Sequence, residues 1–193
     1  TKGAFYIDSM YVDQWSDIDL GNAGDDLAGC DSTLSMAFVY NGAAVDNTFI
    51  RFGLPPPASG YDFLAGPLVS APGDSGVFDF KRVRGKKNLG MSSFAYFSAG
   101  SPYSDPAFAN YSFGTGQWWH MLRGFAPVGA ITDAPTPYAF PPGLAPSKFP
   151  LSGNPAQPAS STNFIDGLGA IYSFAPGDRR ILLNTGPFTM APG

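Results

Sequence analysis

The chain has 193 residues, a formal net charge of −4 and only 13% charged residues, about half the share of an ordinary soluble domain. One short basic cluster excludes the broad basic face of a nucleic-acid binder, and no apolar run approaches the roughly 18 residues of a membrane helix. A single cysteine, Cys30, excludes an internal disulfide. Hydrophobic content of 44%, with 17 Phe and 9 Tyr, suffices for a core, and 24 Gly with 19 Pro point to many turns. All fifteen acidic residues are Asp. Asp favours turns and caps where Glu favours helices, so this composition speaks for β structure.

In chain order, residues 4–12, "AFYIDSMYV", predict a strand. Residues 33–40, "TLSMAFVY", alternate so that Leu34, Met36, Phe38 and Tyr40 share one face, as a half-buried strand requires. The Asp-rich stretch between them is expected to be a loop, and "NG" at 41–42 a turn. "FGLPPPASG" cannot form an interior strand because proline lacks the ladder donor. "YDFLAGPLVSAPG" predicts an edge strand. "GVFDFKRVRGKKNLGMSSFAYFSAG" predicts two strands around a basic turn, with Phe78 and Phe80 on one side, Val77 and Val83 on the other, and Phe94 and Tyr96 on the return. "GQWWHMLRGF" is the one expected helix, with Trp118, Met121 and Leu122 at i, i+3 and i+4. Residues 126–162 are expected to be a long ordered loop. "FIDGLGAIYSF" and "RRILLNTGPFTM" predict the last strands. "APGD" at 71–74 and 175–178, and "APG" at 191–193, read as turn punctuation.

The segment "WSDIDLGNAGDDLAGCD" holds five Asp residues. Hard cations such as Ca²⁺ take six to eight oxygens. Asp17, Asp19, Asn22, Asp25, Asp26 and Asp31 can supply them, while Gly21, Gly24 and Gly29 let the backbone turn tightly. The spacing is not that of an EF-hand, since Gly21 and Ala28 stand where ligands would be needed. The competing reading is a solvated acidic loop whose Asp residues cap turns.

Other stretches carry a functional and an ordinary reading side by side. "GDSG" at 73–76 matches a serine-protease nucleophile segment over four residues only, and the sole histidine, His120, follows the serine instead of preceding it. Trp118 and Trp119, with neighbouring Phe and Tyr residues, can form a sugar-stacking platform or simply fill core, and His120 beside them can serve a ligand as a general base or fill a hydrogen-bonded niche. "KRVRGKK" at 81–87 can meet an anionic partner or edge a solvated hairpin. A catalytic Asp pair is open on composition, but no spacing selects one. Acidic neighbours disfavour a Cys30 thiolate.

Four stretches carry a resemblance: "YVDQWSDIDLGNAGDDLAGCDSTLSMAFVYNG", "GLPPPASGYDFLAGPLV", "KKNLGMSSFAYF" and "GDRRILLNTGPFTMAPG". Together they resemble a recurring region of large secreted bacterial proteins that often carry a type IX secretion sorting domain. The resemblance implies an exported, extracellular or cell-surface protein. It carries over no catalytic residues, and no sorting domain lies within this stretch.

The expectation is therefore one mainly β domain over residues 1–193, a piece of a longer chain. It is an antiparallel β-sandwich with long Pro/Gly-rich loops and at most one short helix. The expected role is a non-enzymatic extracellular structural or adhesive module with a calcium-binding loop. Its partners would be other domains of the parent protein or copies of itself. The alternatives are a polysaccharide-binding module built on Trp118 and Trp119, and a glycoside-hydrolase fragment.

Overall fold

The computed structural model describes residues 3–106, 111–130, 132–138, 145–157, 165–167 and 174–193. Eight strands and one helix lie among them: β1 (Ile7–Asp17), β2 (Asp26–Asp31), β3 (Met36–Asn41), β4 (Ala58–Asp62), β5 (Leu68–Phe78), β6 (Lys81–Asn88), β7 (Ser93–Ser98), α1 (Tyr111–Leu122) and β8 (Arg179–Met190). They form three antiparallel sheets, ordered β1-β8-β7, β2-β3-β4 and β5-β6. The expected mainly β architecture is what the chain adopts.

The core is built on β8 and β7. Ile181, Leu182 and Leu183 are all buried, as are Phe94, Ala95, Tyr96 and Phe97, so both strands are covered on both faces. Such strands read as continuous apolar runs instead of alternating ones. The β2-β3 pair packs against β8 on one side, and α1 packs against β7, β8 and β1. Around Tyr96 lies an aromatic cluster, with Tyr138 stacked on it at 5.9 Å between ring centroids and Tyr103 edge-on at 6.0 Å.

Several expectations need correcting. The Asp-rich segment is not one loop: its second half is β2, which buries Leu27, Ala28 and Cys30. Its Asp residues sit at the two strand ends, so the apolar run between them was free to pair with β3. The period of β3 is as expected, but the fully buried side is Ala37 and Val39, while Met36, Phe38 and Tyr40 are half-buried and Leu34 is exposed outside the strand. The register explains this. Ala28 pairs with Val39 and Cys30 with Ala37, so small side chains line the side buried in the core. Phe38 instead lies over Gly29, where an added Cβ would meet its ring at 2.4 Å.

The basic stretch is a strand, β6, and not a turn. The turn is Asp79-Phe80, both with positive φ, as a two-residue hairpin of the I′ kind demands. The return strand with Phe94 and Tyr96 pairs with β8 and not with β6. The first strand starts later than expected and runs on into the Asp-rich segment as far as Asp17. The prolines 55–57 precede β4, an exposed edge strand. The first "APGD" lies within β5, at an irregularity in its pairing with β6.

Helix α1 begins earlier than expected, and Met121 is its deepest expected core residue. The described parts of 126–162 hold no helix or strand. Most of "FIDGLGAIYSF" lies outside the described residues, while "RRILLNTGPFTM" coincides with β8.

Candidate metal centre

The end of β1 sets up the acidic site. From Ser16 to Gly21 the chain alternates strictly: Ser16, Ile18 and Leu20 are buried, while Asp17, Asp19 and Gly21 are exposed. A period of two therefore puts Asp17 and Asp19 on one outward side. Asp178, two residues before the Arg180 that pairs with Asp17 across the ladder, joins them from just ahead of β8. Carboxylate oxygens of Asp17, Asp19 and Asp178 all lie within 4.8 Å of one another. That spacing suits a hard cation with oxygens at about 2.3–2.6 Å.

Arg180 partly neutralises the cluster. Its Nε donates to Asp17 Oδ2 at 3.0 Å and its Nη2 to Asp178 Oδ2 at 2.8 Å, while Nη1 reaches Asp105. One guanidinium thus faces three carboxylates. Among the described residues, Asp178 Oδ1 stays buried without a hydrogen-bond partner. Burial pushes the Asp178 carboxyl up; Arg180 lowers it, and Asp17, Asp19 and Asp105 raise it.

A second acidic group adjoins the first. Asp26 is 0% exposed; its Oδ2 accepts from Leu20 N at 3.1 Å and its Oδ1 has no partner among the described residues. Burial pushes this carboxyl up to about 6, the Leu20 amide opposing and the charges of Asp25, Asp19 and Asp46 adding. Asp25 Oδ2 accepts from Asn41 at 3.1 Å and its Oδ1 is unpartnered among the described residues. Asp46 is buried and pins the loop after β3: its oxygens accept from the amides of Asn22, Thr48 and Phe49. The amide bond from Asn22 is the largest influence holding its carboxyl below the usual range. Gly21, at φ +67°, makes this approach possible, since an added Cβ would sit 2.5 Å from Asp46 Oδ1.

The six expected ligands do not meet at one point. Asp17, Asp19, Asp25 and Asp26 lie at one end of the molecule. The Asn22 side chain is used locally, accepting from Gly24 N at 3.2 Å. Asp31 sits at the far end of β2, where it accepts from Thr33 N, Thr33 Oγ1 and Leu34 N and caps the β2–β3 turn. It lies five residues along the strand from Asp26, about 17 Å. Sequence reasoning missed Asp46, Asp105 and Asp178. Asp178 carried one weak signal, its place in a repeated "APGD".

Of the aromatic candidates, His120 is buried, while Trp118 and Trp119 are half-buried, Trp118 against the core. Trp118 packs edge-on against Phe97, with ring centroids 5.7 Å apart. Trp119 meets Tyr11 edge-on, and the Arg123 guanidinium covers its ring at 4.9 Å. His120 is 1% exposed, with Nδ1 3.0 Å from Val128 O. Cys30 is buried with its Sγ 3.3 Å from Pro150 O; desolvation and then the Asp31 charge push its thiol well up. An open groove of about 320 Å³ beside it holds Asp31 as its one carboxylate.

No family model, curated relative or solved structure matches this chain.

Proposed function

We propose that the chain is a non-enzymatic extracellular structural or adhesive module whose acidic end binds calcium. The observation that carries this reading is the convergence of Asp17, Asp19 and Asp178, with oxygens within 4.8 Å of one another. Asp25, Asp26 and Asp46 reinforce the field around them, and unneutralised carboxylates at such distances repel. A divalent cation offsets that repulsion and couples ordering of the 18–25 loop to calcium, which extracellular modules bind at about 10⁻⁴–10⁻³ M. The extracellular setting is supported by the resemblance to secreted bacterial proteins. The packing of Trp118 against the core and the Arg123 guanidinium over the Trp119 ring give a flat sugar-binding face less support.

A thermal melt in calcium and in chelator tests the metal. At a calcium concentration one hundred times Kd, the gain is about 2.7 kcal/mol, a rise in Tm of several degrees for a domain of this size. Asp178→Asn, which keeps an acceptor for Arg180, is expected to abolish the rise while melting close to the parent in chelator. Equal melting temperatures with and without calcium would remove the metal from the account.

A further inference from the structure

The hairpin β5–β6 is built unlike the rest of the chain. It forms a two-stranded sheet of its own, and its strands pack mainly on each other. An isolated hairpin is marginal in water. This one nevertheless exposes Val77, Phe78 and Phe80 at its tip, Phe80 by 99%. Beside the tip runs an open, largely apolar groove of about 700 Å³ that includes Pro67, Leu68, Val77 and Phe78. On β6, Lys81, Arg82, Arg84, Lys86 and Lys87 are all exposed, five of the eleven basic residues of the chain. Among the described ion pairs, only Lys81 finds a carboxylate, Asp79, at 3.7 Å.

The acidic end has the matching properties. Asp17, Asp105 and Asp178 gather there around one Arg180, with Asp19 near Asp178 and both Asp19 and Asp25 near Asp26. The loop tethered by Asp46 exposes Val45, Ile50, Phe52 and Leu54 beside them. Both surfaces therefore combine charge of one sign with exposed apolar side chains, the composition of an interaction site.

The two surfaces lie at opposite ends of the molecule. The hairpin is rooted where Thr185 Oγ1 donates to Gly90 O and Met91 N to Ser35 Oγ. Thr185 and Arg180 are five residues apart on β8, about 17 Å. On β3 the strand likewise runs from the Ser35 end to Asn41, which donates to Asp25. The hairpin doubles back on this root, where the Asn88 side chain accepts from Val77 N at 2.7 Å and donates to Val77 O at 3.0 Å, so its apolar tip is held at the end remote from the acidic cluster.

We propose that the hairpin of one copy docks on the acidic end of a second copy, head to tail. Such a contact is heterologous and builds rings or open chains. Opposite charges steer the encounter and set its orientation, while Phe78 and Phe80 bury against the apolar rim around Phe52. The proposal deepens the structural role suggested above, but it does not need calcium, which would compete for the same carboxylates.

The test is sedimentation of the whole chain in chelator at low salt, over rising protein concentration. The expected result is a mass that grows with concentration and returns to that of the monomer in about 1 M NaCl, where the screening length is only about 3 Å. Arg82→Glu/Arg84→Glu/Lys86→Glu, with its fold checked by circular dichroism, is expected to stay monomeric. It should retain the calcium-dependent melt, so loss of one property is read separately from loss of the other. Asp19→Lys, at the other end, is expected to weaken association about tenfold. A monomer at low salt, or association untouched by the hairpin triple variant, would overturn the proposal. So would a monomer whose hairpin binds a polyanionic glycan instead.

Discussion

Arg179→Ala is expected to cost about 3–5 kcal/mol of unfolding free energy, the usual effect of stripping one partner from a buried ion pair. Arg179 is 1% exposed, and its Nε donates to Asp166 Oδ2 at 2.8 Å. The same guanidinium donates to Ser98 Oγ at 2.9 Å and to Ala175 O at 2.8 Å. Asp166 in turn accepts from Ala28 N at 2.9 Å. One pair therefore joins β2, β7, β8 and the 165–167 turn. Without Arg179, the Asp166 carboxylate stays buried and uncompensated. The double variant Arg179→Met/Asp166→Asn removes both charges and keeps an acceptor for Ala28, so it should cost less than Arg179→Ala alone. Denaturant unfolding measures both. A loss under about 1 kcal/mol for the single variant would mean that the pair is not the tie described.

Asp26→Asn is expected to act in the opposite direction when metal is absent. Burial, with Asp25, Asp19 and Asp46 nearby, lifts this carboxyl to about 6, against about 3.9 in the unfolded chain. The folded state therefore holds the proton more tightly. Below about pH 4 both states are protonated and there is no penalty. As pH rises through about 4 to 6, the folded state loses stability relative to the unfolded one, and the penalty is complete at pH 7. Two units correspond to at most about 3 kcal/mol. Asparagine keeps an acceptor for Leu20 N and has no charge to bury. In chelator at pH 7 the variant should be more stable by about 1–3 kcal/mol, with the gain fading towards pH 4. A difference independent of pH would show that Asp26 carries no such strain.

Both effects rest on residues that the sequence displayed unequally. Asp26 stood in a conspicuous acidic run, yet its burial at the start of β2 was hidden by the surrounding glycines and aspartates, which suggest a loop. Asp166 and Arg179 gave no signal, because nothing local reveals that two charges will be buried together. β8 was legible in full, since "RRILLNTGPFTM" is a long run bounded by turn residues. The period of β3 was legible too, but not its buried side. That side was decided by the partner strand, where Gly29 makes room for Phe38 and small residues line the inner layer. The basic stretch misled for a similar reason: charge suggests a turn, whereas the turn fell on Asp79-Phe80.

The acidic site was half legible. Asp17 and Asp19 follow from alternation along one strand. Asp178 comes from the far end of the chain and meets them only because β1 and β8 pair. Asp31 looked equivalent to its neighbours in sequence and is carried to the opposite end of β2 by strand formation alone.

The most direct measurement is anomalous scattering from crystals grown in calcium. The account predicts one strong peak among Asp17, Asp19 and Asp178, about 2.3–2.6 Å from a carboxylate oxygen of each, with Asp31 remote from it. Calcium-saturated crystals in which Arg180 and solvent alone fill that space would contradict it.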